Sequence, residues 1–178
     1  MSETLPIILA PHPIFRQKAE AVEKVDDEVK RTIARMFATL DAEFAVGIGA
    51  NMVGLLKRIV VIHLRDEGTR LAMVNPVILN RSTETQTFEE ASISFPGISA
   101  KVTRPKSVTV EYLDEAGAKQ TLDAEGFLAT VIQHEIDYLD GKIFVDYLSK
   151  MKKDMLLKKS EKFLKNNPPH VHTASCKH

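Results

Sequence analysis

The chain has 178 residues, 44% of them hydrophobic, and its 24 basic side chains balance 24 acidic ones. That length suits one folded unit with a substantial core, and zero net charge argues against a whole-surface binder of DNA or another polyanion. Cys176 is the single cysteine, so an internal disulfide is excluded, and no apolar run approaches the roughly 20 residues of a membrane span. The balance is uneven along the chain, because residues 150–178 hold eight lysines against Asp154 and Glu161. One cysteine and the absence of a basic-then-apolar leader in Met1–Pro6 suggest a reducing compartment, either the cytoplasm or an organelle of bacterial origin.

In chain order, Leu5–Leu9 reads as an edge or loop segment, and Phe15–Val22 as a short helix. Asp26–Phe44 is the first strong helix. Val29, Ile33, Met36, Phe37, Leu40 and Phe44 recur at helical spacing, and Asp26 or Asp27 can cap its start. Gly47-Ile48-Gly49 ends it. Arg58–Leu64 is a strand buried on both faces for part of its length. Leu71–Leu79 is a second, with Pro76 at an edge or bulge. Thr83–Phe88 alternates weakly, and Phe95-Pro96-Gly97 is a turn. Ser107–Leu113 alternates clearly and turns through Asp114–Gly117 into Lys119–Leu122, a hairpin. A buried helix is expected from Asp123 to Leu139, closed at Gly141. The last helix is expected over Asp146–Leu164, stopped by Pro168 and Pro169. Strands followed by a buried helix, with helices at both ends, predict an α+β fold with antiparallel sheets. The expected organisation is one domain over 1–166 and a disordered tail over 167–178.

The buried helix carries Gln133-His134-Glu135-Ile136-Asp137-Tyr138, which nearly spells HExxH. In that pattern two imidazoles one turn apart bind zinc, and the Glu beside them is a general base. Here Tyr138 stands where the second His would be. A phenol must lose a proton of pKa about 10 to bind a metal well. His134 and Glu135 therefore read either as a remnant ligand and base or as a buried polar pair, hydrogen-bonded to Tyr138 and Ser92. Ser92 with His134 as base would be a nucleophile pair, but no strand-turn-helix elbow surrounds Ser92.

Three segments in this order resemble the peptide deformylase family, whose motifs are GxGxAAxQ, EGCxS and QHExDH. The first reads Gly47-Ile48-Gly49-Ala50-Asn51-Met52-Val53-Gly54, the second Glu90-Ala91-Ser92-Ile93-Ser94, the third Gln133–Tyr138. The resemblance runs from about Leu9 to about Leu148 and implies a deformylase-like fold around a central HExxH-type helix, with a C-terminal helix. The family removes formyl from N-formylmethionyl peptides.

The departures fall where that chemistry sits. Gly54 occupies the position of the Gln that helps form the oxyanion hole, Ser92 that of the Cys ligand, and Tyr138 that of a His ligand. His134 is the metal ligand that remains. The resemblance implies Glu135 as base and the backbone N–H of Ile93 as the other oxyanion donor. It gives Ile48, Gly49, Phe127 and Val131 as the lining of a methionine pocket, and Glu90 with Arg104 as supporting groups. The expectation is a homologue without the family's activity and without a cofactor, whose groove still accepts formyl-Met or Met peptide N-termini. Two alternatives stand beside it. One is an active hydrolase holding a divalent ion (iron, nickel or zinc) in an unusual shell. The other is an interaction protein whose basic helix, within 150–165, contacts the ribosome or another acidic partner. His170, His172, Cys176 and His178 form a ligand-rich tail that could carry adventitious metal.

Overall fold

Two helices hold a five-stranded sheet from opposite faces in the computed structural model, which describes residues 2–169. Helix α1 spans Asp27–Ala42, and Asp26 caps it by accepting a 2.9 Å hydrogen bond from the Val29 N–H. The strands are β1 (Gly47–Gly49), β2 (Ile59–Leu64), β3 (Thr69–Arg81), β4 (Thr85–Glu90), β5 (Ala100–Pro105), β6 (Ser107–Leu113) and β7 (Lys119–Glu125). Helix α2 spans Gly126–Leu139 and α3 spans Lys150–Asn166. The large sheet has the order β1-β2-β3-β6-β7, β4 and β5 pair separately, and every one of these pairings is antiparallel. The α+β architecture with antiparallel sheets expected from the sequence is therefore present.

Strand β2 explains why the sheet needs both helices. Its side chains alternate between two faces. Ile59 and Val61 join Ile33, Met36 and Leu40 of α1, while Val60, Ile62 and Leu64 join Ile132, Ile136 and Leu139 of α2. With both faces buried, the strand reads as an unbroken apolar run. In β3 the pairing with β6 slips between Val74 and Val77, so Pro76 sits at a bulge. Asn75 takes φ 51° there and exchanges two 2.8 Å hydrogen bonds with the backbone of Val22.

Several element boundaries differ from expectation, each for a local reason. Phe15–Val22 is not a helix. A 3-10 turn covers Pro13–Arg16, and the chain then runs extended, with Ala19 N–H bonded to Leu139 O and Glu20 N–H to Leu56 O. Helix α2 starts at Gly126 rather than Asp123, because Asp123 pairs with Thr109 in the β6–β7 ladder and accepts from its hydroxyl at 2.6 Å. Gly126 makes the strand-to-helix corner with φ 65°. Helix α3 starts at Lys150, not Asp146, capped by the Ser149 hydroxyl. Asp146 is occupied instead by the Ile143 N–H at 2.9 Å, Arg16 at 2.7 Å and Lys153 at 2.6 Å. Gly47–Gly49 is an edge strand rather than a helix stop, and β5 was not assigned from sequence at all.

Helix α3 packs back on the turn after β4. The Ser160 hydroxyl donates to Pro96 O at 2.8 Å, and the Phe163 ring lies against Gly97. Its outer side exposes Met151 and Met155 among lysines. Of the tail expected to be disordered, 167–169 follow the helix irregularly and 170–178 lie outside the described residues. No helix among the described residues is long and apolar enough to cross a membrane.

Candidate functional site

The near-HExxH turn of α2 meets the end of β4 at a buried polar cluster. Tyr138 is fully buried and donates its hydroxyl proton to Ser92 Oγ at 2.6 Å. Burial pushes its phenol above the ordinary value, and the Ser92 hydrogen bond only partly offsets this. His134 does not join that pair through a hydrogen bond. Its Nδ1 lies 2.8 Å from Glu90 Oε1, and its ring stacks on Phe144 with centroids 5.8 Å apart. Among the described residues His134 makes no hydrogen bond to Ser92, whose Oγ accepts from Tyr138 instead, so the geometry does not form a Ser–His nucleophile pair.

Glu90 is held from both sides. Arg104, 2% exposed, donates from Nε to Glu90 Oε2 at 2.8 Å and from its terminal nitrogen to Oε1 at 2.9 Å. The same guanidinium reaches Asp137 at 2.8 Å and the Tyr147 hydroxyl at 3.2 Å. Burial raises the Glu90 carboxyl, but the hydrogen bonds from His134 and Arg104 outweigh it and hold the group below its ordinary value. An ionised Glu90 accepts, so His134 Nδ1 carries the proton and Nε2 is left to face the groove.

Glu135 is the cluster's unsatisfied member. Its Oε2 is buried without a hydrogen-bond partner among the described residues, and its Oε1 lies 3.9 Å from His134 Nε2. Gly47 makes room for it, since a Cβ there would come within 3.0 Å of Glu135 Cγ. Burial pushes the Glu135 carboxyl up to about 7. The unfolded chain ionises this group near 4.5, so between 4.5 and about 7 only the folded state holds the proton. Stability is therefore expected to fall as pH rises through that window and to level off above it, by on the order of 3 kcal/mol. Glu135→Gln should flatten the profile. Urea unfolding at about pH 5 and about pH 8 checks this, and an unchanged pH slope in the variant would contradict it.

Glu90, Ser92, His134 and Glu135 form the floor of a groove of about 490 Å³. Gly47, Met52, Ile93, Phe95, Ile98 and Val131 give it apolar walls, and Phe44, Val46 and Phe127 stand at its exposed margin. A second cavity of about 380 Å³ lies between the Pro11–Pro13 loop and α3. Among the described residues no group of three or more His, Cys, Asp or Glu is arranged to hold a metal ion.

The polypeptide deformylase family model matches residues 4–154. The chain belongs to the polypeptide deformylase family. A peptide deformylase-like protein of Rickettsia conorii is 52% identical over 174 residues, covering 97% of this chain and 95% of that protein. A peptide deformylase of Pelagibacter ubique is 44% identical over 163 residues, covering 90% and 95%. Among solved structures, Ehrlichia chaffeensis peptide deformylase in complex with actinonin superposes with a TM-score of 0.88 at 35% identity, covering 95% of this chain and all of that one.

Of the residues that the resemblance singles out, Glu90, Ser92, Ile93, Phe127, Val131, His134 and Glu135 line the groove, and Arg104 and Tyr138 pack behind it. Three do not line it. Ile48 is fully buried on the opposite face of β1, in the cluster with α1, because strand side chains alternate. Gly49 packs against Leu139 and the Glu135 backbone. Gly54 caps a 3-10 turn with φ 87° and is exposed, so it presents no side chain to the groove. Sequence reasoning missed Phe44, Phe95 and Ile98 as walls, and the Asp137–Tyr147 extension of the Arg104 network.

Proposed function

We propose that this deformylase homologue binds peptide N-termini in its groove and does not remove the formyl group. The observation that carries the reading is the 2.6 Å hydrogen bond between Tyr138 and Ser92, the two positions where the resemblance places a His and a Cys ligand. A metal would have to displace protons from an alcohol and from a phenol that burial has made less acidic. It would find one imidazole and no thiolate, and this donor set does not fit the family's divalent ion. Glu135, the family's base, has no acidified water to activate and is itself held toward the neutral form.

The groove supports retained binding. Its volume admits a methionine-sized side chain, and Val131, Ile93 and Met52 suit one. Strand β1 is a sheet edge, and Val46 O accepts from His63 N. By the antiparallel alternation, the N–H and C=O of Gly47 then point away from β2 and are available to an extended peptide.

Calorimetric titration with formyl-Met-Ala-Ser, alongside a formate-release assay, tests this. Saturable binding weaker than about micromolar but tighter than about millimolar is expected, without formate release. Absence of binding at millimolar peptide, or turnover that Glu135→Ala abolishes, would contradict the proposal.

A further inference from the structure

Phe44 occupies a position where local physics asks for glycine. It follows the Glu43 C-cap of α1 with φ 53°. Its N–H bonds Asp41 O, and the Ala45 N–H bonds Leu40 O. This is the paired 5→2 and 6→1 pattern of a Schellman motif, whose left-handed residue is usually Gly because a Cβ is strained there. Phe44 is also 85% exposed, so its ring gains nothing from the core. A large apolar side chain is thus held in a strained conformation at the margin of the groove, three residues before Gly47. Val46, from the same loop, is 40% exposed, and Phe127, which packs on Phe88 with centroids 5.5 Å apart, is 37% exposed. The groove therefore has a polar floor and an apolar mouth.

We infer that Phe44 is a specificity-determining residue that receives an apolar side chain at the second position of a peptide ligand. This rests on the groove binding peptide N-termini, as proposed above. An extended peptide alternates its side chains. If the first points to the Val131–Glu135 floor, the second points back toward the mouth, where Phe44 and Val46 offer apolar surface. Two further observations favour a peptide over a second copy of this chain. The groove carries Glu90 and Glu135 in its buried floor and Glu89 at its exposed rim, with no Lys or Arg among its lining residues. One of these carboxylates has an unpartnered buried oxygen, which an amide or ammonium N–H would satisfy.

The test compares formyl-Met-Phe-Ser with formyl-Met-Gly-Ser by titration calorimetry, on the full chain and on Phe44→Gly and Phe44→Asn. An aromatic contact predicts that the full chain favours the Phe peptide by roughly three- to tenfold. In both variants that ratio should fall toward one. Thermal midpoints should hold or rise, since Gly and Asn suit the left-handed conformation. Binding of both peptides with a ratio that Phe44→Gly leaves unchanged overturns the inference alone. Failure of the full chain to bind either peptide overturns the groove reading and this inference with it. An assembly that light scattering detects and Phe44→Gly dissociates, without a change in peptide ratio, assigns Phe44 to contact between copies and also overturns it.

Discussion

Arg104→Ala is expected to lower the unfolding free energy by about 3–5 kcal/mol, the usual cost of removing one partner from a buried ion pair. The guanidinium is 2% exposed and closes both sides of the Glu90 carboxylate while also reaching Asp137. Without it, among the described residues Glu90 remains buried with His134 as its only hydrogen-bonding side chain, and Asp137 keeps only the Tyr147 hydroxyl. Burial would then dominate, and the Glu90 proton would be bound far more readily. Arg104→Met retains stem volume and separates packing from charge. Adding Glu90→Gln to Arg104→Met should recover part of the loss, because the uncompensated charge is gone. Urea unfolding of the single and double variants measures this. A loss below about 1 kcal/mol for Arg104→Ala would mean that the network behaves as an ordinary surface pair.

A still larger effect is expected from Ser92→Cys combined with Tyr138→His. These two changes supply the thiolate and second imidazole that the family resemblance assigns to these positions. The Ser92 and Tyr138 side chains are already in contact at 2.6 Å, and His134 packs on Tyr138 with ring centroids 5.3 Å apart. Three converging ligands of this kind suit a catalytic metal with an open fourth position. The double variant should hold roughly one divalent ion per chain and release formate from formyl-Met peptides at least about a hundredfold faster than the parent chain. Glu135→Ala in the same background should remove the gain while leaving metal content unchanged. The Tyr138 ring packs edge-on against Phe15, so some stability should be lost with it. Metal content by mass spectrometry and formate release are the two readouts. A double variant that folds yet takes up no metal would show that the surrounding shell no longer accepts one.

Periodicity made the two large helices and β2 legible, because each has a burial pattern that sequence displays directly. Helix α1 shows one apolar stripe and α2 is apolar nearly all round. The errors arose where one residue type serves two purposes. Asp123 and Asp146 look like helix caps, but the first braces a strand pair and the second an arginine, a lysine and a 3-10 turn. Strand β5 was hidden because Arg104, one of its two buried positions, reads as polar and outward. At the site, the motif positions located the Ser92, His134 and Tyr138 cluster. They could not give its wiring, since either hydroxyl or the Glu90 carboxylate could have taken the imidazole. Ile48 was assigned to the groove when alternation along β1 turns it to the other face. Phe44 read as the last apolar residue of α1, and nothing in its spacing shows a left-handed backbone.

Metal content of the purified, tag-free chain, measured again after truncation at Asn167, decides whether Ser92, His134 and Tyr138 hold an ion. No stoichiometric iron, nickel or zinc is expected in either form; metal that leaves with the tail would belong to its His and Cys residues. Near-stoichiometric metal that survives truncation would contradict this expectation, because Ser92, His134 and Tyr138 would then be working as a metal centre.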